Sequence, residues 1–112
     1  VNKQLYNAFM IEMKKAKSLY QQGLYSQAFP YLERAHILGQ SYIIPHTISH
    51  WWMMKTGWKQ RSAKEVVGQV PRLLASLLIS RIWVPLGNTG GVNVSPFKAM
   101  PIPEDLQALL KN

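Results

Sequence analysis

Between Leu5 and Tyr20 the apolar residues recur every three or four positions: Leu5, Ala8, Phe9, Met13, Ala16, Leu19 and Tyr20. That spacing puts them on one stripe of a helix and leaves Lys14, Lys15 and Lys17 largely off it, so a helix is predicted over about Lys3 to Gln22 with one face turned to a core. Gly23 ends it, since glycine accepts the left-handed conformation common just past a helix C-terminus. Related patterns follow between glycine and proline stops, and their succession predicts an all-α fold: a small bundle of about four helices in two hairpins, forming one domain over residues 1–112.

Ser26 is the expected N-cap of a second helix running to about Leu38, with Ala28, Tyr31, Leu32, Ala35 and Leu38 inward. Pro30 falls near its first turn, where a missing N–H costs least, and Gly39 closes it. A third helix is expected from Pro45, a favoured first helical residue, to Gly57. Its His46, His50 and Met53 share a stripe opposite Ile48, Trp51 and Trp52, and a helix apolar nearly all round is expected to be buried between neighbours. Ser62-Ala63-Lys64-Glu65 reads as a capping box opening a fourth helix. That helix is expected to bury Val66, Val67, Val70, Leu74, Leu77, Leu78 and Ile82, and to be kinked or split by Gly68 and Pro71. Residues 83–103, rich in Gly, Pro and Asn, predict an ordered but irregular strap packed over the bundle. A short terminal helix is expected within 104–111, from Glu104 to Leu110, with two acids at its positive end and Leu106, Leu109 and Leu110 inward.

A chain of 112 residues can bury a core without metal or disulfide staples. Because 47% of it is hydrophobic and only 16% charged, some apolar surface is expected to meet a protein partner or a second copy, as in a homodimer. The absence of cysteine excludes thiolate metal sites, disulfides and cysteine nucleophiles. Thirteen Lys and Arg against five acids give a basic protein of net charge +8, which favours anionic partners, nucleic acid or a membrane surface among them. The longest strongly apolar run, Leu73 to Ser80, lies between Arg72 and Arg81 and is far short of the roughly 20 residues of a transmembrane span. The lysine-bearing start does not read as a secretory signal, and the expected location is the cytoplasm.

All three histidines fall in one stretch. His46 and His50 are four apart on one helical face, the spacing that lets two imidazoles share a metal ion. His36, in the last turn of the second helix, lies across a short connection from His46, so antiparallel packing can bring the three together, though spacing alone does not fix whether they converge. Glu33, one turn before His36, is placed to add an oxygen, and Met53, one turn after His50, offers a soft thioether that suits copper better than zinc. Three neutral nitrogens and one further ligand make a tetrahedral set for zinc, copper or nickel. The competing interpretation is structural, since histidines at a helix junction commonly satisfy backbone carbonyls or stack on tryptophan.

Catalysis finds less support, and the expected protein is not an enzyme. His46-Thr-Ile-Ser-His50 lacks the glutamate that serves as base in zinc metalloproteases. Glu33-x-x-His36 is half of a carboxylate-bridged di-iron motif without its second copy, and Glu12 and Glu65 do not complete it. Ser49 and His50, adjacent on a helix, point in different directions. Gly87-Asn88-Thr89-Gly90-Gly91 has the composition of an anion-wrapping loop but lacks the Lys-Ser/Thr ending, so a plain turn is expected. Lys55, Trp58, Lys59, Arg61 and Lys64 form a basic turn around an aromatic residue, which suits phosphates and a stacked base; the alternative is a solvated turn with Trp58 anchored in the core.

Two resemblances add to this. Ala16, Leu19, Gly23, Tyr25, Ala28, Leu32 and Ala35 together resemble a single tetratricopeptide repeat, a helical hairpin that stacks into peptide- or protein-binding arrays of about three or more repeats; two hairpins fit in this chain. The strings RAHILGQ (34–40), PHTISHWWMMKTGW (45–58), EVVGQV (65–70) and GNTGGVNVSPFKAMPIP (87–103) resemble a small bacterial family catalogued as domain of unknown function 3703. Members of that family are often encoded among heavy-metal resistance and cation-efflux genes. The resemblance therefore implies metal handling by context and no particular activity.

Overall fold

The computed structural model describes residues 3–79, 87–95 and 97–110, and places five α-helices among them. The first, α1 (Lys3–Gln21), stops where its periodicity stops. Gly23 takes φ +78°, and the amides of Gly23 and Leu24 donate back to the carbonyls of Tyr20 and Leu19 at 3.0 and 2.9 Å. These two bonds satisfy carbonyls the helix would otherwise leave bare. The turn leads straight into α2 (Tyr25–Gly39), whose N-cap is Leu24 with no side-chain bond, so the expected cap at Ser26 is already one residue inside the helix. Pro30 is likewise internal to α2.

Helix α3 (Ile43–Lys59) begins two residues before Pro45 and continues two past Gly57. Gly39 is the last residue of α2, as expected, whereas Gly57 is not a stop, and both are places of close approach. A Cβ on Gly39 would stand 2.6 Å from Pro45 Cβ, and one on Gly57 2.8 Å from Glu65 Cγ. Helix α4 (Ala63–Ile79) packs along α3, as α2 does along α1, while α5 (Glu104–Leu110) lies against α1 and α2. The apolar core joins Leu5, Phe9, Met13 and Ala16 to Leu32, Ala35 and Leu38, with Met53 and Leu106 closing it. Arg34 of α2 donates to Glu12 of α1 at 2.6 Å and also pairs with Asp105 of α5, tying the short helix to the first hairpin.

The fourth helix departs most from expectation. It runs unbroken through Gly68 and Pro71, and the apolar face expected inside is outside: Val67 is 69% exposed, Leu74 58% and Leu78 76%, with Val70 and Leu77 about half exposed. Glu65, Gln69 and Ser76 are buried instead, because their hydrogen-bonding partners lie on that side: Gln69 for Glu65, His50 and Gly90 for Gln69, and Thr47 for Ser76. Val66 is half-buried, and Ile82 lies outside the described residues. The capping box is half made. Glu65 N–H donates to Ser62 Oγ at 3.2 Å, but the Glu65 carboxylate turns inward and Ser62 N–H bonds Gly57 O.

Helix α3 is also less enclosed than expected. Ile48 and Trp52 pack on the core, whereas Ile44, Trp51 and Trp58 face outward, Trp58 at 71% exposure, so Trp58 is no core anchor. The strap, in its described parts 87–95 and 97–103, is irregular as expected; residues 87–92 are packed down, whereas Phe97, Lys98 and Ala99 are exposed, and residues 83–86 and Pro96 lie outside the described set. Asn88 organises it, donating to Ser95 O and Lys98 O at 2.7 and 2.8 Å and accepting from Gly90 N–H at 2.9 Å. Gly68 is where the strap meets α4, since a Cβ there would stand 2.2 Å from Val92 Cγ1. In α5 Leu106 is buried and Leu109 and Leu110 are half-buried, as expected; residue 111 is outside the described set. No helix among the described residues is long and apolar enough to cross a membrane.

Candidate metal centre

His36 sits in the last turn of α2, His46 near the start of α3 and His50 one turn further on. Close packing of α2 on α3 brings their Nε2 atoms into a nearly equilateral triangle: His36 to His46 3.0 Å, His36 to His50 3.1 Å, His46 to His50 3.1 Å. All three rings are buried. The structure brings the three histidines together.

The tautomers follow from what holds the far side of each ring. His36 Nδ1–H donates to the carbonyl of Asn88 at 2.7 Å. Gln69 gives its amide hydrogens to Glu65 Oε2 (2.5 Å) and Gly90 O (2.9 Å), with Met53 Sδ at 3.5 Å. Its oxygen therefore faces His50, whose Nδ1–H donates to it at 2.6 Å. A neutral imidazole has one hydrogen, so Nε2 of both His36 and His50 is a bare lone pair. These two stand 3.1 Å apart with no proton between them, and His46 can bring at most one hydrogen to the triangle. Lone pairs aimed at a common point are repulsive unless a cation lies there, and outer partners that fix the ring and its tautomer are the usual support of a histidine ligand.

The dimensions suit a first-row metal. Nitrogens about 3 Å apart are close enough that one ion with metal–nitrogen bonds of about 2.0–2.1 Å would reach all three. Electrostatics agree. Burial drives the His46 pKa down to about 4. Burial, then repulsion from His46, drives His50 to about 3 against the pull of Gln69. His36 is held well below its ordinary value by burial and by the other two histidines. At neutral pH all three are uncharged donors.

The remaining sequence candidates separate. Glu33 lies outside the group of three histidines; its carboxyl bonds Thr89 and is raised by burial, with Glu65 adding to the effect. Met53 is fully buried, and its sulfur lies 3.5 Å from the Gln69 amide nitrogen. Lys55 does not join the basic turn, because its ammonium lies over the Trp52 ring at 3.9 Å and the Tyr20 ring at 5.5 Å. Trp58, Lys59, Arg61 and Lys64 are exposed at the α3–α4 turn.

Residues 3–110 match the family model described as Protein of unknown function (DUF3703). The chain belongs to the DUF3703 family. No curated protein and no solved structure matches it. Three residues of this DUF3703 protein that support the histidines were missed in the sequence: Gln69, Asn88 and Gly90. Gly90, at φ +83°, lies so close to His36 that a Cβ would stand 2.6 Å from the ring. Glu65, Gln69, Arg72 and Ser76 do repeat at four, three and four residues, a polar stripe visible in the sequence.

Proposed function

We propose that this DUF3703 protein is a non-enzymatic binding protein that holds one divalent transition-metal ion on Nε2 of His36, His46 and His50. The supporting observation is the Nε2 triangle, with the His36 and His50 hydrogens committed to Asn88 and Gln69 on the outer side. Uncharged imidazoles favour zinc, copper or nickel over magnesium or calcium, which take oxygen ligands. Three such ligands leave the ion's charge unbalanced, and Glu65, buried behind Gln69, is the carboxylate placed to offset it. Ser49 Oγ donates to the His46 carbonyl at 2.7 Å and Glu33 is engaged by Thr89, which supports binding rather than acid–base chemistry.

Calorimetry with zinc, copper and nickel tests this on the wild type and on His46→Ala/His50→Ala. One ion per chain is expected in the wild type and none held specifically in the double variant. X-ray absorption of the loaded protein should show imidazole nitrogens at about 2.0–2.1 Å. Equal, weak binding by both proteins would end the proposal.

A further inference from the structure

Helix α4 presents water with the face its sequence marks as apolar. Val67, Val70, Leu74 and Leu77 are spaced three, four and three residues apart, and with Leu78 they form one exposed stripe. On α3 the exposed Ile44, Trp51 and Trp58 follow at intervals of seven, which keeps them in line along the helix. The two stripes share a side of the hairpin. Thr47 Oγ1 and Ser76 Oγ meet at 2.8 Å where the helices touch, and at about 100° per residue Trp51 and Leu77 lie on the same flank of that contact. The histidines and the strap are on the opposite flank.

We propose that this outer face of the α3–α4 hairpin is where two copies of the chain associate. Its outward positions on α4 from Val67 to Leu78 are Val, Val, Pro, Leu, Ala, Leu and Leu, without a charge among them. A nucleic acid or an anionic lipid surface would be met by cations, and the exposed Lys59, Arg61 and Lys64 stand at the turn, beyond one end of the stripe. Two chains of net charge +8 repel each other, and an uncharged face is where they can approach at least electrostatic cost. The spacing on α4 is that of helices packing side chain between side chains, and the same patch on both copies satisfies a two-fold axis. The exposed parts of six aliphatic side chains and two tryptophans provide on the order of 600 Å² per copy. Stable complexes bury about 800 Å² per partner, so the face is of the right order for a dimer.

Sedimentation of the full chain from about 1 to 100 μM, with and without zinc, tests this independently of the metal site. The wild type is expected at twice the 12.8 kDa monomer mass. Leu74→Glu and, separately, Leu78→Lys should raise the dissociation constant roughly 30-fold or more while leaving the helical circular dichroism unchanged. Ile11→Glu, on the exposed side of α1, should remain dimeric. A wild type that stays monomeric throughout overturns the proposal, as does a dimer indifferent to both α4 changes. Monomers that bind phosphatidylglycerol vesicles through Leu74 would overturn it too, assigning the face to a membrane.

Discussion

Helices α1 and α4 are similar in length and both carry an apolar stripe, yet one turns that stripe to the core and the other turns it to water. In α1 the buried Phe9 and Met13 have lysines behind them whose charges find partners at the surface edge, Lys15 beside Glu12 at 3.9 Å and Lys17 over the Trp52 ring at 5.3 Å. In α4 the opposite face carries Glu65, Gln69 and Ser76, and each finds a hydrogen-bonding partner inside the molecule. Periodicity says which residues share a face. The direction of that face depends on what the polar side can bond.

Acid should distinguish the two regions most strongly. The folded-state pKa values of the three histidines are depressed, so the unfolded chain takes up protons below about pH 6.5 while the metal-free native state does not. Stability is then full above about pH 6.5 and falls as pH drops toward 4, by about 1.4 kcal/mol per unit for each histidine. Urea midpoints measured from pH 7.5 to 4.5 should show this slope, and His46→Ala/His50→Ala should flatten most of it. An equal slope in the variant would place the acid sensitivity elsewhere.

Phe9→Ala, in the apolar half, is expected to cost about 3–5 kcal/mol in urea unfolding at pH 7.5, through lost burial and the cavity left behind. Gln69→Ala, in the polar half, should cost about 2–3 kcal/mol, because it strips His50 Nδ1–H and Glu65 of their partner. It should also weaken metal binding about 10- to 100-fold, which a merely structural glutamine would not. Arg34→Ala should cost about 2 kcal/mol by leaving the buried Glu12 carboxylate short of its main counter-charge. Leu74→Ala, measured dilute enough to keep the chain monomeric, should change stability by less than about 0.5 kcal/mol. A large loss there would contradict the exposure of the α4 stripe.

What could be read in advance follows the same division. The end of α1 at Gly23, the limits of α5 and the shared face of His46 and His50 depend on local rules: a left-handed glycine, a proline before two acids and one helical turn. The reversal of α4 depends on groups distant in sequence, such as the Gly90 carbonyl that receives Gln69, and no local pattern encodes them. Ser62 capped as its motif predicts, while Glu65 left the box for a buried partner. Trp58 was assigned to the core on hydrophobicity alone, and Glu33 to the metal on proximity alone. The carbonyl that holds His36 belongs to Asn88, and sequence does not show where a main-chain oxygen in an irregular segment will point.

His36 reaches that oxygen across 52 residues. A ribosome that has released the four long helices has therefore delivered every imidazole but not the carbonyl that settles where the first one carries its hydrogen. The clamp on that first ring is thus made only after all three rings have emerged, when the strap that carries Asn88 follows them.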